Sequence, residues 1–491
     1  MSQQSNTVHE APGNAPGLVP ANAHVAPVEG ISQAAGADSA NIGDASMALS
    51  TTDEIDTTTS TAAAVHNLPV SESSSPSRKL IVVLGASYSG VSLTHYLLKH
   101  VVPALSGSYQ LVLVSPSNEI VARPAMPRAM LSDDLLDQSK LFVKVTTVLA
   151  QYPEDTVRFL HGTAIKLNHG AKNVTIRPAV DSALNSGTEM LEYHALIIAT
   201  GASTNSPLLG LTTDSEALRA SWASLRAALP TAKTIVIAGG GPAGIETAGE
   251  IGHHLNGKAG MFKKTIGTPK VAITVVNGSE RILPVLRPAL ATKAELLLAK
   301  LGVTVRNNLK VTAVEPAASG SATSIATKTV VRLNDGTTID ADIYIPATGW
   351  NYNTSFVDAS LLNAEHRVIV NGDMFRVNGA GDNAMVYAIG DASAAHRPAV
   401  HLILDAVPVC ANAIKRDLLR AEGKPEAELP ADKPFAANAK EMQLVPIGKT
   451  MGVGAVMGFK VPGFFVKMIK GRDYFLWTTP KLWSGQQWAK A

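Results

Sequence analysis

Cysteine, basic residues near the N-terminus and long apolar runs are all scarce in this chain of 491 residues. The single cysteine, Cys410, excludes an internal disulfide, a C-x-x-C redox pair and a zinc site built on cysteines. No apolar run reaches about 18 residues, which argues against a membrane-spanning helix. The first basic residue is Arg78, so neither a mitochondrial presequence nor a secretory signal fits the N-terminus.

The overall composition is that of a folded enzyme, with 46% hydrophobic and 17% charged residues. A net charge of +2 gives no reason to expect a nucleic-acid partner. Residues 1–77 are rich in Ala, Ser, Thr, Pro and Gly and cannot bury enough apolar surface to fold, so we predict a disordered tail there. We expect a cytoplasmic location.

A first strand-turn-helix pattern lies at IVVLGASYSG, residues 81–90. We predict a buried strand at 80–84, a helix at about 89–100 and a second strand at 111–115. The turn resembles the dinucleotide fingerprint G-x-G-x-x-G, but Ser87 replaces its middle glycine. Taken alone, this turn leaves open whether it is a damaged site or a working variant.

A second, unbroken fingerprint follows the strand TIVIA, with Gly239, Gly241 and Gly244 at the required spacing. The three glycines permit the tight turn, the approach of a pyrophosphate and close packing of helix on strand. The pyrophosphate would then lie at the helix N-terminus, where Pro242 and Ala243 belong to the same candidate site.

The end of the next strand, 271–276, normally carries an acid that binds the adenine ribose. Here that position is Asn277, which can bind a hydroxyl and does not repel a 2′-phosphate. We therefore expect both NADH and NADPH to be used.

Three more strands end in glycine turns, and they complete the architecture. Two of the turns read A-T-G, one after the strand at 191–198 and one at the end of a strand predicted over 339–350, and the third is Gly390–Asp391. The order predicts an α/β fold with two Rossmann-like dinucleotide-binding domains, the first split by the second, and a small C-terminal region. The expected boundaries are 78–205 and 346–435 for the split domain, 206–345 for the inserted domain and 436–491 for a C-terminal cap.

Other nucleotide and hydrolase motifs are absent. The second glycine turn lacks the Lys-Ser/Thr of a P-loop, and a nucleophile elbow would need serine where Tyr88 stands. No H-E-x-x-H motif or His/Cys cluster indicates a metal site, so none is expected.

The series GASYSG, ATGAST, GGGPAGIETAGE, IPATGW and VYAIGDAS resembles the two-dinucleotide flavoproteins of the pyridine nucleotide-disulfide oxidoreductase superfamily. The stretches ARPAMPRAM, GVGAVMGFKVPGFF and KGRDYF are similar to its fungal apoptosis-inducing-factor-like branch, which includes the ferroptosis suppressor protein. The redox disulfide of the disulfide reductases is missing.

The resemblance implies FAD at the first glycine turn and NAD(P)H at the second. Arg128 would reach a phosphate or the flavin edge, and Asp391 would bind the ribityl or pyrophosphate region. Asp405 stands where the family often has a glutamine beside the flavin. The implied cofactor-binding residues outside the second turn are Gly85, Ala86, Ser87, Tyr88, Ser89, Gly90, Arg128, Ala199, Thr200, Gly201, Thr348, Gly349, Gly390 and Asp391.

Glu246 is the candidate catalytic residue, because the first glutamate of the G-I-E-x-A-x-E pattern lies near the nicotinamide in similar proteins. The alternative is a first-turn helix acid that complements the helix dipole. His396 and His401 are further candidates for proton supply, against a purely structural role.

With no disulfide to relay electrons, reduced FAD would pass them to a quinone, another carrier or dioxygen. A redox-sensing signalling flavoprotein and, at a lower rank, a flavin monooxygenase are the alternatives. The segment from 459 to 491 holds eight of the 24 aromatic residues and six basic residues against one acid. This composition fits either a peripheral membrane contact or a cap with Trp483 and Trp488 on a loose tail.

Overall fold

The computed structural model describes residues 78–179, 187–211, 214–260, 262–381, 383–436 and 440–490. The tail predicted at 1–77 lies outside the described residues. The strands are β1 (Lys79–Leu84), β2 (Tyr109–Ser115), β3 (Glu119–Val121), β4 (Phe142–Lys144), β5 (Val157–Asn168), β6 (Asn173–Pro178), β7 (Glu189–Glu192), β8 (Ala195–Ile198), β9 (Ala202–Ser203), β10 (Thr234–Ala238), β11 (Ala272–Val276), β12 (Val303–Arg306), β13 (Val311–Glu315), β14 (Thr329–Leu333), β15 (Thr338–Ala341), β16 (Ile343–Pro346), β17 (Asn351–Tyr352), β18 (Val386–Ala388), β19 (Gln443–Ile447), β20 (Met451–Val456) and β21 (Phe459–Lys460).

The helices connect these strands and close the chain. Helix α1 and the π-helical turn that continues it, Leu97–Val101, together cover the helix predicted at about 89–100. The helices are α1 (Tyr88–Tyr96), α2 (Met126–Ala129), α3 (Gln138–Leu141), α4 (Val145–Leu149), α5 (Ser215–Ala228), α6 (Pro242–Asn256), α7 (Pro288–Ala299), α8 (Ile403–Ala421), α9 (Gly463–Val466) and α10 (Thr479–Trp483). None of the described helices is both long and apolar enough to cross a bilayer.

The first sheet has seven strands in the order β18–β8–β1–β2–β5–β6–β7. Strands β18 to β5 run parallel, and β6 and β7 are antiparallel additions. Successive residues of β1 enter different cores, Ile81 and Val83 under α1 and α8, and Val82 and Leu84 on the opposite face. Burial on both faces explains why these strands read as continuous apolar runs.

The second sheet, β12–β11–β10–β16, is fully parallel and lies in the chain between β8 and β18 of the first. Helices α6 and α7 cover one face, and the antiparallel sheet β13–β14–β15 packs on the other. The predicted fold class is therefore confirmed: two Rossmann-like domains, the first split by the second.

The single strand predicted over 339–350 is wrong. Two strands, β15 and β16, occupy its first part in different sheets, and Asp342 separates them. The Asp342 carboxylate accepts hydrogen bonds from the backbone N–H groups of Lys233 and Thr234, at 2.7 and 3.0 Å. This polar junction lets the chain leave one sheet and enter the other.

The two connections between the domains are fastened to each other. Strand β9 of the outgoing connection pairs with β17 of the returning one. Around this pair, Thr200 Oγ1 donates to the Asn353 carbonyl at 2.7 Å, and Asn205 Nδ2 donates to the Thr348 carbonyl at 2.9 Å. The two A-T-G turns are thus held side by side.

The described residues of the C-terminal region form two parts, the strands β19–β21 with α9 and a last helical segment. Strand β19 packs on α6 and β20 on α7. Gly249 of α6 is needed because a Cβ there would lie 2.9 Å from Gly448 N. The last part, residues 479–488, lies on α1, and we call it the C-terminal clasp. The backbone carbonyls of Trp483, Gly485 and Trp488 accept hydrogen bonds from His95, Lys99 and His100 at 2.6 to 2.9 Å.

A loose tail carrying Trp483 and Trp488 is therefore the wrong description. Both indoles are about 4% exposed, and the Trp483 ring lies 4.8 Å from that of Tyr88. Burial against an aromatic partner explains why two tryptophans close to the chain end are ordered.

We expect Trp483→Ala to lower the free energy of unfolding by about 3 kcal/mol, because it empties a buried indole site beside α1. Trp477, 52% exposed, is the matched control, and Trp477→Ala is expected to change stability by no more than about 0.5 kcal/mol. Urea denaturation of both variants tests this, and equal effects would contradict the packing of the clasp on α1.

Candidate functional site

Each parallel sheet carries the same glycine turn at the end of its first strand. Gly85 has φ +112°, and a Cβ there would lie 2.3 Å from the Ala199 carbonyl oxygen. Gly90 allows α1 to approach so closely that a Cβ would lie 1.7 Å from Gly85 O. Gly239 and Gly244 repeat this arrangement against Ala347 in the second sheet. Both turns are therefore built to bring a helix N-terminus close to the adjoining A-T-G turn.

The middle positions of the two turns explain why Ser87 is tolerated. Ser87 and Gly241 each precede the first residue of a helix and have negative φ, −122° and −75°. In the part of the chain that the structure describes, no atom lies within 4 Å of a Cβ placed on Gly241, and Ser87 is exposed. The chain itself therefore demands glycine at neither position, and only a closely bound ligand would restrict the side chain there.

The turn after β18 meets the N-terminus of α1. Gly390 has φ +75°, and a Cβ there would lie 2.3 Å from Ser89 Oγ. Burial raises the pKa of the neighbouring Asp391, and Arg123 is the main group that opposes this shift. The structure thus brings together the first glycine turn and the predicted Gly390–Asp391 pair.

Arg123 is the site residue that sequence reasoning missed. Its Nη1 donates to the Ala202 carbonyl at 2.6 Å, and its guanidinium stacks over Trp350 at 5.3 Å. Its Nη2 is buried and has no hydrogen-bond partner among the described residues. Burial lowers the pKa of Arg123, and the negative charge of Asp391 opposes this shift. A buried guanidinium nitrogen without a partner is costly, and it fits an anionic group such as a dinucleotide phosphate.

Arg128, the arginine that was predicted as a cofactor ligand, is bound to protein atoms instead. Its Nε and Nη2 hold the Glu250 carboxylate at 2.9 and 2.7 Å, and Nη1 donates to the carbonyls of Gly471 and Arg472. Side-chain exposure is 4% for Arg128 and 1% for Glu250. We therefore correct the expectation for Arg128, which ties α2 to α6 and to the C-terminal region.

Glu246 lies one helical turn before Glu250 and makes a second buried ion pair. Lys470 Nζ donates to its Oε1 at 2.5 Å, and Tyr474 OH donates to Glu250 at 3.1 Å. Burial raises the pKa of Glu246 to about 7, while Lys470 opposes the shift. The buried ion cluster, as we call Arg128, Glu246, Glu250 and Lys470, therefore holds a carboxyl that titrates near neutral pH.

The structure does not support the alternative that Glu246 complements the helix dipole. Glu246 is the fifth residue of α6, beyond the first turn in which the dipole acts. Lys470 could not have been paired with it from local sequence, because the two residues are 224 positions apart.

Asn277 follows β11 directly and is only 5% exposed. Its Nδ2 donates to the Ser279 carbonyl at 2.9 Å and to Asn307 Oδ1 at 2.7 Å. Its oxygen faces Gly240, where a Cβ would lie 2.4 Å away. Both side-chain hydrogen bonds of Asn277 therefore use its amide nitrogen.

The remaining predicted residues differ in how far they are buried. Ala86, Tyr88 and Ala199 are buried around the first turn, and the other A-T-G residues, with Pro242 and Ala243, are partly or fully accessible. Asp405 is exposed near the start of α8, while His396 is buried with Nε2 unpartnered. Among the described residues, no group of three or more His, Cys, Asp or Glu could hold a metal ion.

The model of the pyridine nucleotide-disulphide oxidoreductase family matches residues 79–413. The chain belongs to this family. It is 54% identical to oxidoreductase phnG of Penicillium herquei over 417 residues, 84% of this chain and 98% of that protein. It is 27% identical to ferroptosis suppressor protein 1 of Xenopus tropicalis over 328 residues, 65% and 76% of the two chains. The predicted family and its apoptosis-inducing-factor-like branch are confirmed, and FAD and NAD(P)H are the cofactors of this family.

Solved structures show the same fold at low sequence identity. Sulfide:quinone oxidoreductase of Aquifex aeolicus has a TM-score of 0.57 at 17% identity, covering 83% of this chain and 92% of its own. NDH2 of Plasmodium falciparum in complex with NADH has a TM-score of 0.56 at 15% identity, covering 84% and 100%.

We expect Ser87→Gly to retain bound flavin and Ser87→Leu to lose it, because only a ligand close to the exposed Ser87 limits the side chain there. Gly241→Leu is the matched control at the second turn, and it should keep flavin but bind NAD(P)H at least tenfold more weakly. Flavin absorbance of the purified proteins and NADH titration measure both effects. Full flavin content in Ser87→Leu would contradict the assignment of the first turn.

Proposed function

We propose that the protein is an FAD-dependent NAD(P)H oxidoreductase that delivers electrons to an external acceptor of the quinone type. One observation carries this proposal: two equivalent glycine turns, on two sheets joined through paired A-T-G turns, with no second cysteine to act as a redox partner. Two nucleotide sites without a dithiol suit transfer to an outside molecule.

The first turn and its surroundings fit FAD. The N-terminus of α1 would bind the pyrophosphate, with Ser87 tolerated at the approach and the Arg123 Nη2 group available to a phosphate oxygen. Asp391 is held near the same end of the helix for the ribityl hydroxyls. When bound, FAD accepts a hydride from NAD(P)H and passes the electrons on.

The second turn fits NAD(P)H in the same way. The N-terminus of α6 follows Gly241, where open space surrounds the backbone, and the Asn277 oxygen accepts from a ribose hydroxyl. An amide in this position carries no charge to repel a 2′-phosphate, which supports the use of both NADH and NADPH.

Glu246 and Lys470 would manage the proton that accompanies the electrons. A carboxyl with a pKa of about 7 is half protonated at neutral pH, which is the most useful state for a proton donor. Lys470 holds the carboxyl in place through its 2.5 Å contact. A quinone acceptor needs such protons, whereas a one-electron carrier does not.

Two further observations support a quinone as the electron acceptor. The name of the Aquifex aeolicus relative in fold includes quinone as its acceptor. The chain also offers no cysteine other than Cys410, which is fully buried, so a protein-bound dithiol acceptor is not available.

Anaerobic titration of the purified holoprotein tests the proposal. NADH should bleach the flavin rapidly, and a water-soluble short-chain quinone should restore it within the turnover time. A long-lived reduced complex that no quinone reoxidises would favour the signalling alternative. A protein that binds no flavin would overturn the proposal.

We expect quinone reduction to slow as pH rises through about 7, because Glu246 loses its proton over that range. Glu246→Gln should abolish this inflection and lower the rate by at least tenfold. Lys470→Met should move the inflection to higher pH, because the positive charge that lowers the pKa of Glu246 is gone. Steady-state pH profiles measure both.

Glu216→Gln is the control, because Glu216 is an exposed acid in the first turn of α5. It should leave rate and profile unchanged. An unaltered inflection in Glu246→Gln would show that another group carries the proton.

A further inference from the structure

The C-terminal region exposes an unusual number of large apolar side chains. Fifteen such side chains are exposed among the described residues, and seven of them lie between positions 457 and 477. Phe459 is 77% exposed and Phe464 58%, values that are costly for aromatic rings in water. We call this set the apolar edge: Met457, Phe459, Phe464, Phe465, Met468, Ile469 and Trp477.

The apolar edge is built on ordered backbone. Helix α9 continues into a π-helical turn, Lys467–Gly471, whose inner side places Val466 and Gly471 against the hairpin β19–β20. The outer side carries Phe464, Phe465, Met468 and Ile469, at the i, i+1, i+4, i+5 spacing of one helix face. The packed inner side and the exposed outer side make this a presented surface.

Neighbouring side chains strengthen the arrangement. The rings of Phe464 and Phe465 lie 5.8 Å apart, and Trp477 Nε1 donates to the Ile469 carbonyl at 3.3 Å. Trp477 is therefore held beside the helix although half of its surface is exposed.

The segment that carries the apolar edge, residues 457–481, has five basic residues and one acid. Lys460, Lys467, Arg472 and Lys481 are all exposed. The one acid after position 441 is Asp473, and it pairs with Arg472 at 3.5 Å. Apolar rings framed by cations match the interface of a bilayer whose headgroups are negative.

We propose that the apolar edge docks the protein peripherally on membranes that contain anionic lipid. A second copy of the chain fits less well, because a symmetric contact would bring two sets of the same four cations together. An interfacial helix needs no partner of defined shape, since the rings enter the headgroup region and the lysines remain at its surface.

Docking has a consequence for the site, and this consequence rests on the proposed function. Lys470, which holds Glu246, follows Ile469 of the apolar edge directly. The ion pair of Lys470 with Glu246 therefore lies on the inner side of the same turn whose outer side would touch the lipid. A lipid-dissolved quinone would meet the protein at this turn.

Flotation of the full-length holoprotein with vesicles tests the docking. We expect it to float with vesicles of phosphatidylcholine and about 30% phosphatidylserine and to remain unbound with phosphatidylcholine alone. Binding to the anionic vesicles should fall several-fold when salt is raised from about 0.1 to about 1 M, because surface charges are then screened. Failure to bind the anionic vesicles, or equal binding to both kinds, would overturn the proposal.

Matched variants locate the contact. Phe464→Ser should weaken vesicle binding by about tenfold, and Lys467→Glu by at least as much, because it changes the surface charge by two. Phe262→Ser is the control for an exposed ring, since Phe262 is 97% exposed in a lysine-containing loop of the inserted domain. Lys166→Glu is the control for an exposed charge. Both controls should bind as the wild type does.

Two readouts separate the possible failures. Reduction of a water-soluble quinone should be the same in Phe464→Ser and the wild type, so loss of docking is distinguished from loss of the proposed activity. Sedimentation without lipid should show the same mass for both. A dimer that depends on Phe464, or equal loss of vesicle binding in Phe262→Ser, would overturn the assignment.

Discussion

The buried ion cluster holds three parts of the chain in one arrangement. Arg128 comes from the first domain, Glu246 and Glu250 from the inserted domain, and Lys470 from the C-terminal region. When Glu246 is ionised, two positive and two negative charges balance, and removing Arg128 or Glu250 leaves a buried charge without a partner, which typically costs about 3–5 kcal/mol. The relative placement of the two nucleotide sites therefore depends on electrostatics as well as on apolar packing. The same carboxyl that completes this balance titrates near pH 7, so its proton is coupled to the contact between the parts.

The two glycine turns share the same backbone geometry. In each, the first glycine adopts positive φ against the carbonyl of the adjoining A-T-G turn, and the last lets the helix touch the first. The middle position differs because no atom of the described residues constrains it. Sequence fingerprints treat the three glycines as equivalent, but the structure separates two that the backbone needs from one that only a ligand would need. This is why GASYSG is as well formed as GGGPAG.

Local sequence predicted the features that depend on neighbours in the chain. Apolar, β-branched runs before glycine turns identified β1, β10 and the turn after β18, and their order revealed the split domain. Contacts between segments far apart in the chain could not be predicted from local sequence. Nothing in ARPAMPR distinguishes Arg123, which bonds to the Ala202 carbonyl, from Arg128, which holds Glu250, because tertiary packing sets the direction of each side chain. Lys470 looked like one of six basic residues until the fold placed it against Glu246, and composition alone left the place of the two last tryptophans open.

The C-terminal clasp gives this protein an order of assembly that runs against the order of its synthesis. Helix α1 and the π-helical turn after it are synthesised long before the clasp, yet His95 Nε2, Lys99 Nζ and His100 Nε2 bond to backbone carbonyls of residues 483–488. The first domain also waits for β18 to complete its sheet, while the inserted domain is continuous in the chain and can close earlier. The domain that begins the fold is thus the last to be finished, and a chain that stops ten residues short leaves the face of α1 that carries Tyr88 uncovered beside the first glycine turn.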